Sequence, residues 1–184
     1  MTLRFNPVAI TDAATYTVKE YNSGILHVLP NLTADITITL PTPKKGLIYE
    51  FMYAGAAADA QDWLITTTSD TYYFKGGVVH LDDDAADAEV TPVYSDGNSN
   101  SKLTVLTPSA GTWVKMWCDG TNWYVTGTVV SASSSAAAFA DQYDGPASPS
   151  GGATLSPRRT EWLTPTCCRP SRCWRRRPAR LGSR

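Results

Sequence analysis

With 184 residues, 42% of them hydrophobic and 10% aromatic, the chain has room for one ordinary domain plus an appendage, and enough apolar material for a core without covalent staples. Its formal net charge of -1 hides a division: residues 1–142 carry seven Lys+Arg against fifteen Asp+Glu, while 143–184 carry nine Arg against Asp144 and Glu161. Only Cys118 of the four cysteines precedes residue 143, no run approaches the roughly eighteen apolar residues of a membrane span, and the first residues hold no apolar leader core; a disulfide framework, a transmembrane segment and a secretion address are therefore not expected.

Residues 1–14 read as an irregular N-terminal arm, with Pro7 and the Thr11-Asp12 pair as punctuation and Leu3, Phe5, Val8 and Ile10 able to pin it to a neighbour. Strands are expected at 15–18 and 24–29. His27, inside the second, reads as a core or edge histidine, because a ligand role wants partners and the only other histidine is His80. Residues 34–40 alternate strictly, with Ile36, Ile38 and Leu40 inward and Asp35, Thr37 and Thr39 outward, the pattern of a half-buried antiparallel strand. Pro41 and Pro43 then force a turn, Lys44 and Lys45 read as solvated loop charges, and 47–53 forms a strand with Tyr49, Phe51 and Tyr53 on one side.

Residues 55–62 read as a loop with one helical turn, and 63–68 and 71–75 as short strands about Ser69-Asp70, with Gly76-Gly77 breaking the chain before 78–81. The run 82–89 holds five carboxylates and no base. A Ca²⁺ loop of the EF-hand kind needs Gly at its sixth position and Glu at its twelfth, which are absent, so a solvated acidic loop is the expectation and no metal is assigned. A brief strand at 91–94, a polar turn at 95–100 and a strand at 102–107 lead to the clearest signal in the chain.

That signal is residues 111–127, two runs rich in Trp, Tyr and Val about one compact turn, which reads as a β-hairpin. Gly120-Thr121 as the central pair suits a type II′ turn, and Asp119-Gly120 suits type I′. The first version pairs Cys118 with Trp123, Trp117 with Tyr124, Met116 with Val125 and Lys115 with Thr126. One face then carries Val114, Met116, Cys118, Trp123 and Val125 and belongs in a core. The other carries Trp113, Lys115, Trp117, Tyr124 and Thr126. Two readings stand for that face: cross-strand aromatic packing under a loop, or a contact surface for another subunit, where Trp and Tyr are enriched.

Residues 128–130 end the sheet, 131–142 read as a Ser/Ala connector, and 143–184 as a disordered basic tail rich in Pro, Gly, Ser and Arg but free of Lys. The tail fits an out-of-frame end of GC-rich coding sequence; solvated disorder with a weak pull on nucleic-acid phosphates is the other reading. Cys167, Cys168 and Cys173 lack paired spacing and a fourth ligand, so zinc is not expected there. The expectation for the whole is an all-β protein, an antiparallel β-sandwich or jelly-roll-like domain over 15–130. With no Gly-x-Ser-x-Gly, no phosphate loop and no metal spacing in the body, neither catalysis nor a cofactor is expected.

The run Trp117-Cys118-Asp119-Gly120-Thr121-Asn122-Trp123-Tyr124-Val125-Thr126-Gly127, with the earlier Leu40-Pro41-Thr42-Pro43-Lys44-Lys45-Gly46-Leu47, resembles small β-rich virion proteins of tailed bacteriophages, many of them head decoration or capsid-stabilising proteins. The likeness spans roughly residues 16–127. It implies a non-enzymatic protein made in the host cytoplasm and carried on the outer capsid surface, bound to the major capsid protein, commonly as a homotrimer. Trp113, Trp117, Tyr124, Phe5 and Val8 are then the interface candidates. The alternative is a receptor-binding or tail-fibre β-domain stacking its aromatics on host glycans.

Overall fold

The computed structural model describes residues 6–55, 58–83, 89–133 and 137–142. All of them fall within one compact unit, Met1–Pro146. Phe5, the centre of the acidic run and the whole segment 143–184 lie outside the described residues, as do the readings made for them.

Twelve strands build two sheets: β1 Val8–Ala9, β2 Thr15–Thr17, β3 Leu26–Leu29, β4 Ile36–Thr39, β5 Ile48–Tyr53, β6 Trp63–Thr66, β7 Phe74–Asp82, β8 Val90–Tyr94, β9 Lys102–Val105, β10 Trp113–Cys118, β11 Trp123–Ser131 and β12 Ala137–Ala140. The seven-stranded sheet has the order β1-β3-β5-β10-β11-β7-β8, the five-stranded sheet β12-β9-β6-β4-β2. The expected all-β sandwich is what forms.

Its sheets are mixed, where antiparallel ones are expected. From β1 to β7 the chain crosses to the other sheet at every step, so that β1, β3 and β5 run parallel in one sheet and β2, β4 and β6 parallel in the other. Period-2 alternation reports one buried face and nothing about strand direction, so 34–40 shows the same pattern in a parallel ladder. Connections that cross the sandwich replace the tight turns an antiparallel meander needs.

Between the sheets Tyr49, Phe51, Phe74 and Trp123 meet Ile36, Ile38, Trp63, Ile65 and Leu103, all at 0% exposure. Each such side chain contributes roughly 1.5–3 kcal/mol by leaving water. The hairpin forms in the Gly120-Thr121 version: Cys118 faces Trp123, Trp117 faces Tyr124, and Gly120 alone of the turn residues takes a positive φ, 108°. Val114, Met116, Cys118, Trp123 and Val125 are buried as the register requires.

Two further expectations are corrected. Gly76-Gly77 does not break the chain, since β7 runs through it. Gly76 sits at φ 99°, and a Cβ there would collide with the Val125 carbonyl oxygen, so the glycine is what lets two backbones approach inside the sheet. The arm and the connector are not outside the domain: β1 pairs with β3, Ile10 is buried, and β12 pairs with β9. Gln142 then closes the body, its side-chain amide donating to Thr67 O at 2.9 Å and Thr67 Oγ1 at 2.7 Å. No helical turn forms in the described part of 55–62.

His27 is a core histidine, fully buried among Tyr16, Tyr49 and Phe51 with ring centroids 5.2–6.1 Å away. Neither ring nitrogen has a hydrogen-bond partner among the described residues. Burial lowers its pKa.

Candidate functional site

Strand alternation gives the seven-stranded sheet one face toward the core and one toward solvent, and the solvent face is unusually apolar. Of the seven large hydrophobic side chains exposed among the described residues, six stand on it: Ile48, Met52, Val79, Val90, Tyr94 and Trp117. Only Tyr21 lies elsewhere.

Cross-strand registers lay these residues out in rows. Ile48, Trp117, Tyr124 and Lys75 form the first; Leu26, Glu50 and Lys115 lie in the second with Thr126; Val28, Met52, Trp113, Thr128, Val79 and Pro92 form the third. The two apolar rows enclose one ion pair, Lys115 Nζ to Glu50 Oε1 at 2.6 Å, each side chain about two-fifths exposed. On an open surface such a pair adds roughly 0–1 kcal/mol, so its interest lies in position and not in stability.

One corner of the face is held in place from below. The Trp117 and Tyr124 rings stack with centroids 5.8 Å apart at 14°. The Tyr124 hydroxyl donates to Asp119 Oδ2 at 3.2 Å, and Asp119 Oδ1 accepts the Thr121 and Asn122 amides, both at 2.8 Å. The two turn amides hold the Asp119 carboxyl below its ordinary range, and Asp119 in turn raises the Tyr124 phenol. A stacked pair tied to its own hairpin turn loses little freedom on binding, the property that makes aromatic side chains effective contacts.

Of the interface candidates, the structure brings Trp113, Trp117 and Tyr124 together on this face. Val8 is placed apart from them: it pairs with His27 at the edge strand β1 and is half-buried on the core side. Phe5 lies outside the described residues. Sequence reasoning missed Ile48 and Met52 on β5 and Val79, Val90 and Tyr94 on β7 and β8. The signal for the first two was present, since Ile48 and Met52 alternate with Tyr49, Phe51 and Tyr53 and so occupy the outward positions of a strand whose inward side is already apolar.

No group of three or more His, Cys, Asp or Glu side chains placed to hold a metal occurs among the described residues. No helix among them is long and apolar enough to cross a membrane. Compared with protein-family models, curated proteins and solved structures, the chain matches none.

Proposed function

We propose that this is a non-enzymatic structural protein of a tailed-phage head, of the decoration type, which binds the major capsid protein on the outer shell and stabilises the assembled particle. Its contact surface is the solvent face of the seven-stranded sheet. One observation carries that choice of surface: six of the seven large apolar side chains exposed among the described residues stand on it, interspersed with Glu50, Lys75, Lys115, Thr126 and Thr128. Shell stabilisation follows by mass action, because a protein that binds only the assembled lattice adds its binding free energy to that state alone. Support for the phage setting is the resemblance of the 117–127 hairpin and the 40–47 step.

A second reading is a receptor-binding or fibre domain. The stacked Trp117–Tyr124 pair, fixed through Asp119, is the observation that favours it, since a rigid aromatic platform is also what a sugar ring stacks on. Binding of the purified protein to undecorated capsids decides between them, using the parent and the Trp117→Ser/Tyr124→Ser pair. Saturable binding of the parent at hundreds of copies per particle, lost in the double variant, is the expected result. Binding to host glycans but not to capsids assigns the fibre reading instead.

A further inference from the structure

We propose that this face is covered from β1 to β7 by a second copy of the chain, the two copies packed face to face about a two-fold axis running along the strands between β5 and β10. Such pairing rests on the reading of this face as an assembly surface and divides it: Ile48, Met52 and Trp117 go to the second copy, and Val90 and Tyr94 on β8 are left for the coat. The outward residues of β5 are Ile48, Glu50 and Met52, and their cross-strand neighbours on β10 are Trp117, Lys115 and Trp113. A two-fold axis between the strands exchanges the two columns and keeps each row. Trp117 then lies over the partner's Ile48, Lys115 over the partner's Glu50 and Trp113 over the partner's Met52.

Every one of these contacts is complementary: apolar meets apolar, and each charge meets its opposite. The charges also fix the axis. Placed along β10, the same symmetry operation sets Lys115 over the partner's Lys115; placed along β5, it sets Glu50 over the partner's Glu50. Like charges brought together in an interface are costly, so of these three axes along the strands the one between β5 and β10 satisfies both charges. One strand further out, the registers bring Leu26 and Val28 of β3 over the partner's Thr126 and Thr128, a contact of methyl groups.

The size also suits a second copy. The six strands from β1 to β7 at about 4.8 Å spacing, and six residues along β11 at about 3.3 Å, span roughly 600 Å² in projection. That is near the accessible area of about 800 Å² per partner in standard interfaces. Aligned packing of twisted sheets at about 30° is the geometry two such faces adopt.

Growth by strand addition at the β8 edge is blocked. Ser95 N–H to Gly76 O and Asp82 N–H to Glu89 O mark the hydrogen-bonded pairs of the β7–β8 ladder, so the Val79–Pro92 pair lies between them. The Pro92 nitrogen therefore faces the free edge with no hydrogen to donate. Val90 and Tyr94 on β8, 69% and 72% exposed, lie beyond the paired region and stay open to a different protein.

The test is the mass of the full chain in solution by sedimentation equilibrium, for the parent, Lys115→Glu, Glu50→Lys and an equimolar mixture of the two variants. The parent should be a dimer of the 19.9 kDa chain. Each reversal alone sets like charges across the axis and should weaken pairing on the order of a hundredfold. The mixture should recover the dimer, because Glu at 115 of one copy then meets Lys at 50 of the other; a folding defect cannot be rescued in this way. Should circular dichroism show either reversal unfolded, Trp117→Ser and Met52→Asp carry the test, each expected monomeric. A monomeric or trimeric parent, variants that pair like the parent, or a mixture that stays monomeric overturns the proposal. A monomeric parent that still coats capsids leaves the surface reading standing, whereas a dimer that ignores capsids leaves the pairing standing and removes the coat as target.

Discussion

Replacing Trp123 by Ala tests the hairpin register and the core together. Trp123 is fully buried on β11, with its ring 5.8 Å from that of Tyr49. Removing about 200 Å² of apolar surface at ~25 cal/mol/Å² forfeits roughly 5 kcal/mol as an upper bound, and measured Trp→Ala losses run about 3–5 kcal/mol. One correction lowers this: the Trp123 Nε1 is buried without a hydrogen-bond partner among the described residues. Deleting a donor left unpaired in the core returns about 1–3 kcal/mol. Taking about 4 kcal/mol for the truncation less about 2 for the orphan donor leaves a net loss of roughly 2 kcal/mol, read as a lowered midpoint in urea at unchanged slope. Trp123→Phe keeps a ring and removes the orphan N–H, and should lose less than half as much. An alanine variant that unfolds at the parental midpoint, or a phenylalanine variant worse than alanine, refutes the reasoning.

Cys118 is buried and its thiol pKa is raised mainly by that burial, so the native protein should react with a thiol reagent only at its opening rate; labelling as fast as in denaturant overturns this. His27 has a folded pKa below its ordinary value, so the unfolded chain binds the extra proton first and stability should fall as pH drops below about 6.5, toward the folded pKa. Urea midpoints at pH 7.5 and 5.5 should differ less in His27→Leu than in the parent, and equal differences refute the assignment. A chain ending at Gln142 should melt like the full chain, whereas one ending at Ala136 removes β12 and the Gln142 bonds to Thr67 and should melt lower; differential scanning calorimetry distinguishes them.

The hairpin was legible residue by residue because a turn fixes register locally and Gly120 needs no distant contact to choose its conformation. Inward and outward positions were legible in 34–40 and 47–53 for the same reason, since alternation is a property of each strand alone. Strand direction and neighbours were not, because β4 reads identically beside a parallel β6 or an antiparallel hairpin mate. Gly76 was misread since a chain break and a close approach to Val125 call for the same residue. β12 gave no signal: Ala137, Ala138 and Ala140 alternate in nothing, and only the ladder with β9 makes a strand of them. The apolar solvent face was half legible, because its aromatic half sits on one hairpin while its remaining residues come from β5, β7 and β8, far apart in sequence.

The position of that hairpin within its sheet also bears on how the chain is made. Strands β1 to β6 wind between the layers using only residues up to Thr66, and each turn can settle on the one before as it leaves the ribosome. The flank of β5 stays open throughout, because its neighbour there is β10, which begins at Trp113. Nor can β7 join β5 directly, since both hairpin strands stand between them. A nascent chain therefore carries an unfilled gap in its larger sheet until about residue 131 has emerged. The hairpin itself folds in about 1–10 μs once synthesised, so the interval of exposed β5 edge is set by translation and not by folding. Slowing synthesis between residues 66 and 113 should raise aggregation, while the same pause placed after 142 should leave the yield unchanged.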